Sequence, residues 1–169
     1  MHHTMKMTLA ALASLALLPT SASASYLVKG PHPGTVLDTT YSPSGSFHGA
    51  VDIDSGSCNS WGVQTGVMGS LHWNVIIATT AIVCVSASGS GNLNEARHHW
   101  ASGWNFRIFH FVKTAASVDK TCDRCQVGDE GEHTHFQQDK SGTRDTSWYS
   151  GYTTRGEAVD RTETLGVLD

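Results

Sequence analysis

Beyond residue 24, apolar positions fall in short runs or at every second place, and no window holds a 3.6-residue apolar period. Strands are therefore the expected element. Residues 50–53 form one short run, while 73–78 and 81–85 are β-branched and nearly continuous, as in strands covered on both faces. Residues 105–112 alternate, which predicts Phe106, Ile108, His110 and Val112 on one face and Arg107, Phe109 and Phe111 on the other. A further short strand is expected at 133–137. Breakers at Gly30-Pro31, Pro33-Gly34 and Pro43-Ser44-Gly45 make 25–46 a turn-rich N-terminal segment. From residue 153 the chain turns polar and charged, which suggests a surface segment or loosely held tail over 153–169. The pattern predicts an all-β fold, a compact antiparallel β-sheet, with one domain spanning 47–152.

The first 24 residues read as an export signal. Lys6 precedes an apolar stretch over 8–18, followed by Pro19 and the small-residue triplet Ala22-Ser23-Ala24. That stretch is shorter than the roughly 20 residues a membrane helix needs. A secreted, soluble product without stable membrane insertion is expected. A total of 15 acidic against 11 basic side chains, with no basic run, argues against nucleic acid as the main partner. A charged fraction of 15% also excludes a coiled coil.

Export makes disulfides the default for Cys58, Cys84, Cys122 and Cys125. Four cysteines allow three pairings, and the sequence does not choose. The Cys122-x-x-Cys125 pair could instead combine with His133 and His135 as a structural zinc site.

Ten histidines in 169 residues point toward metal or proton chemistry. Three pieces stand out: His48-Gly49-Ala50-Val51-Asp52, His110 between Phe109 and Phe111, and His133-Thr134-His135. A hydrolytic zinc site needs three N or O ligands and one open position. His48, Asp52 and one histidine of the 133/135 pair would supply them. In a strand, positions i and i+2 face the same way, so both His133 and His135 can enter one groove. One would then bind metal while the other takes a proton, and His110 could donate to the oxyanion that forms.

These three pieces, in this order, resemble the lysostaphin-type, or β-lytic, zinc endopeptidases that cut bacterial cell-wall peptides. The family pattern is His-x-x-x-Asp, an aromatic-x-His strand, and a final His-x-His-Phe. The chain shows His48-x3-Asp52, Ile108-Phe109-His110 and His133-Thr134-His135-Phe136, with Ser102-Gly103-Trp104 before the middle strand. It departs from the pattern in having Ala50 where the family has Gly, Ile108 where it commonly has Tyr, and Gln137 where it has Glu. The resemblance implies a groove across one face of the sheet and one zinc ion per chain. Zinc would be bound by His48, Asp52 and His135, with His133 as general base and His110 stabilising the transition state. It also implies a monomer acting on peptidoglycan cross-links or Gly-rich peptides. Two rivals are a catalytically silent wall-binding module on the same fold and an extracellular histidine-rich metal-binding protein. His72, His98 and His99 are read as surface or strand-end residues. Trp61, Trp73, Trp100, Trp104 and Trp148 divide between core and groove. Asp119, Asp123, Asp129, Glu130 and Glu132 are read as a solvated acidic patch.

Overall fold

The computed structural model describes residues 25–79, 93–100, 102–149 and 155–168. The expected export signal and the strand expected at 81–85 lie outside them, as does Cys84. The protein is all-β and antiparallel, and forms a single compact domain. Its strands are β1 (Tyr26–Lys29), β2 (Gly34–Asp38), β3 (Val51–Asp54), β4 (Gly62–Gln64), β5 (Leu71–Ile76) and β6 (Glu95–His99), then β7 (Trp104–Val112), β8 (Lys120–Cys122), β9 (Gln126–Lys140), β10 (Thr143–Asp145), β11 (Ala158–Val159) and β12 (Thr164–Leu168).

The larger sheet runs in the order β11-β2-β3-β9-β7-β6-β5-β8, so β11 and β8 are its edges. Strand β9 is the spine. One of its edges pairs with β7, while the other takes β4, β3 and β10 in succession. The alternation expected around 133–137 thus belongs to a 15-residue strand. Its apolar partners lie on one face. Phe106, Ile108 and Phe136 are fully buried with Val51, Ile53 and Phe111, and the Phe106 and Phe136 rings stack 5.7 Å apart. Strands β1 and β12 pair as a second small sheet that contributes Val28, Leu165 and Leu168 to the same core. The opposite face of the spine carries the chemistry.

Both flanking segments differ from expectation. Residues 25–46 hold β1 and β2, because Val28 and Val36 are buried in the core beside the Gly and Pro turns. Residues 153–169 hold β11 and β12, because Leu165 and Leu168 interrupt the polar stretch and fill the core. Strand β5 is not covered on both faces either. Trp73 is buried, but Ile76 is 44% exposed, so this strand alternates. Glu130 does not belong to a solvated patch. It is buried and accepts hydrogen bonds from the Ser55 backbone N–H (2.8 Å) and hydroxyl. Burial raises its pKa, against the effect of those Ser55 bonds. Beside it, fully buried His32 bonds Pro33 O through Nδ1 (3.0 Å) and Thr134 Oγ1 through Nε2 (2.8 Å), bracing β9 from behind.

Leu165→Ala should destabilise the protein by about 2–5 kcal/mol, the cost of a buried leucine cavity. A loose tail would give a urea midpoint unchanged from wild type. Burial also lowers the His32 pKa. The unfolded chain therefore binds a proton at His32 that the folded chain refuses, so stability falls as pH drops below about 6.5. In urea titrations at pH 7.5 and 5.5, His32→Gln should lose less stability on acidification than wild type.

Candidate metal centre

In the antiparallel pairing of β3 with β9, Asp52 stands directly opposite His135. Directly opposed residues project from the same face with Cβ atoms about 5 Å apart. That register alone brings the carboxylate and the imidazole together. The Asp52 Oδ1 to His135 Nδ1 distance is 2.8 Å. His48 enters from the turn before β3, where the N–H groups of His48 and Gly49 both donate to Thr40 O. Gly49 suits that turn. Its φ is +66°, and a Cβ would meet the Phe47 ring at 2.7 Å. His48 Nε2 lies 3.2 Å from Asp52 Oδ2 and 3.2 Å from His135 Nδ1.

The far side of each ring fixes which nitrogen is available. Thr39 O lies 2.8 Å from His48 Nδ1, so Nδ1 donates and Nε2 keeps its lone pair. Gln137 Oε1 lies 2.8 Å from His135 Nε2, so Nε2 donates and Nδ1 keeps its lone pair. Gln137 is itself held by donating to Asp139 Oδ1 at 2.7 Å, and Asp139 Oδ2 accepts from Arg107 at 3.0 Å. Arg107 and Arg97 both donate to Glu95 at 2.6 Å. Burial would raise the Glu95 pKa, but the two guanidiniums outweigh it and hold the carboxyl below its usual range.

With both imidazoles neutral, three lone-pair donors therefore converge on one point, and Asp52 Oδ1 lies 2.8 Å from His135 Nδ1. Such an arrangement is repulsive unless a proton or a metal ion lies at its centre. The ligand atoms of His48, Asp52 and His135 all lie within 4.8 Å of one another. Two ligands of one tetrahedral zinc stand about 3.3 Å apart, close to the separations of 2.8 and 3.2 Å found here. The two nitrogen donors and one carboxylate suit zinc, and the backed-up imidazoles have the outer partners that zinc ligands keep. Burial would raise the Asp52 pKa, yet the adjacent His135 and His48 hold it well below the ordinary carboxylate range. Burial would lower that of His48, but the neighbouring Asp52 carboxylate raises it overall.

The other two predicted residues lie beside this point. His133, two places before His135 on β9, has Nε2 3.5 Å from Asp52 Oδ2, and its buried Nδ1 has no hydrogen-bond partner. His110 lies 4.8 Å from the His133 ring and 5.6 Å from the His135 ring, between centroids. It does not share a face with Phe106 and Ile108 as simple alternation predicts. The β7–β9 register shifts between Phe109 and Phe111, and His110 takes φ 69°. A bulge of this kind re-aims one side chain, here toward the histidines, and lets Phe111 return to the core.

A cleft of about 250 Å³ opens beside the centre, lined by Leu93, Arg107, Phe109, His110, His135, Gln137 and Arg144. None of the tryptophans lines it. Trp73 and Trp148 are core, and Lys140 lies 4.8 Å over the Trp104 ring. His98 leans on Trp100 and bonds His72 O at 2.8 Å, away from the cleft. Cys122 and Cys125 are joined by a disulfide, so they are not thiolate ligands and the Cys2His2 alternative falls. Cys58 is also disulfide-bonded. Sequence reasoning missed Thr39, Gln137, Asp139, Arg107 and Glu95. Only Gln137 and Asp139 carried a signal, by continuing the alternation of His133 and His135 along one strand. Neither a protein-family model nor a curated protein matches the chain.

Gln137→Leu removes the acceptor that fixes the His135 tautomer. It should weaken zinc binding by about 10–100-fold, read by competition with a chromophoric chelator.

Proposed function

We propose that the protein is a secreted zinc-dependent endopeptidase that hydrolyses peptide bonds in peptidoglycan cross-links or Gly-rich peptides. The observation that carries this reading is the convergence of His48 Nε2, the Asp52 carboxylate and His135 Nδ1 on one point, with two further imidazoles alongside. A purely structural metal site has no use for the second pair. The cell-wall substrate rests on the resemblance of the three motifs to the lysostaphin type. The disulfide between Cys122 and Cys125 fits an oxidising compartment.

Zinc held by His48, Asp52 and His135 would lower the pKa of a water to about 7 and polarise the scissile carbonyl. The chain's own residues supply the rest. His133 accepts the proton of the attacking water and delivers it to the leaving nitrogen, as the C–O bond forms and the C–N bond breaks. His110 donates a hydrogen bond to the oxygen on which negative charge develops. Thr39 and Gln137 keep both ligand imidazoles in the tautomer that leaves a lone pair free. Phe109 walls the cleft, with the Arg107 guanidinium 4.7 Å over its ring.

His133→Ala should retain zinc and lose hydrolysis of isolated cell walls and of a pentaglycine peptide, whereas His135→Ala should lose both. Metal content by elemental analysis, alongside turbidity and product detection, reads the two independently. Equal zinc retention in the two variants would remove the assignment of roles. Wild-type protein that holds zinc but cleaves nothing would be a binding module instead.

A further inference from the structure

The cleft beside the metal centre contains two arginines in opposite electrostatic situations. Arg107 is fully engaged. Its Nε and Nη2 donate to Glu95 at 2.6 and 3.1 Å, and its Nη1 donates to Asp139 at 3.0 Å. With Arg97 on the same Glu95, two cations meet two carboxylates, and that wall of the cleft is neutral. Arg144 differs. Its one hydrogen bond runs from Nη1 to the backbone carbonyl of His48, and it has no ion pair among the described residues.

The fold holds Arg144 in that place. On β10 it pairs with Asp139 of the spine, and directly opposed residues share a face, so Arg144 projects on the side that carries His135 and Gln137. Its bond to the His48 carbonyl ties the guanidinium to the backbone of a metal ligand. A guanidinium has five N–H donors in a planar fork, so one bond to a carbonyl leaves a fork able to take a carboxylate. Leu93 and Phe109 supply apolar lining to the same cleft.

We propose that this cleft is a carboxylate subsite, in which Arg144 grips a carboxylate of the peptide close to the bond being cut. The proposal rests on the metallopeptidase reading for the identity of the ligand as a substrate group. The carboxylate can come from the end of a peptide chain or from an acidic side chain, and the chemistry of capture is the same. Arg144 is then a specificity residue, distinct from Arg107, each of whose guanidinium nitrogens already donates to a carboxylate of the protein.

The test is an NMR titration of the metal-free protein, which separates Arg144 from any direct carboxylate–metal contact. The probes are N-acetylglycylglycine, its C-terminal amide, and N-acetylglutamic acid α-amide. Wild type should bind one or both free acids at least about tenfold more tightly than the amide, as for a charge-assisted hydrogen bond. Preference for the dipeptide acid alone assigns the subsite to a chain terminus, and binding of the glutamate probe assigns it to a side chain. Arg144→Gln should bind acids and amide alike, and Arg144→Lys should keep a reduced preference. Equal binding of acids and amide by wild type, no measurable binding of the acids, or a preference that survives in Arg144→Gln would each overturn the proposal. Zinc retention together with cell-wall hydrolysis, measured separately on wild type, tests the metallopeptidase reading, so the two can fail independently.

Discussion

The pairing of Asp52 with His135 across two antiparallel strands is the contact on which the centre depends. It is a backbone fact before it is a side-chain one. A shift of the β3–β9 register by one residue would turn the carboxylate to the core face and bring Val51 or Ile53 to the side that carries His135. The core prevents that shift, since Val51, Ile53 and Phe136 are fully buried on the other face of the same strands. Apolar packing on one side therefore fixes ligand geometry on the other.

Around that pair, the remaining parts are added by local departures from regular strand. The positive-φ turn at Gly49 delivers His48, and the bulge at His110 turns a fourth imidazole toward the site. A non-glycine residue at positive φ costs on the order of 1–3 kcal/mol and persists only where its surroundings impose it. Beyond the ligands, hydrogen bonds run from His135 through Gln137, Asp139 and Arg107 to Glu95. This chain anchors one ligand to β6, two strands away from the spine. Thr39 does the same for His48 with a single carbonyl. The centre is thus supported from both flanks of β9.

Much of this was legible in the sequence, for identifiable reasons. Strands declare themselves through alternation, and the two-residue spacing of His133 and His135 places both on one face whatever the rest of the fold does. His48 and Asp52 were readable as a local motif. The bulge at His110 was not, because a register shift depends on the partner strand and leaves no trace in the alternation of Phe109, His110 and Phe111. Nor was Thr39, since a main-chain carbonyl can belong to any residue. The terminal strands were obscured for a different reason. Val28, Leu165 and Leu168 sit in short apolar groups among turn formers and charges, and the pairing of β1 with β12 makes them core, while Val36 reaches the core on β2 beside β3.

The outermost strands of the larger sheet are β11, with two residues, and β8, with three. A wide sheet ordinarily presents long rows of unpaired backbone groups at its margins, and these invite neighbouring molecules to add strands. Here β11 and β8 each offer only a short row of such groups. At one of them, Lys120 spends its ammonium group on the carbonyls of Ala116 and Gln126. The Cys122–Cys125 bond closes the adjoining turn. Among the described residues, these two ends of the sheet therefore present little unpaired backbone.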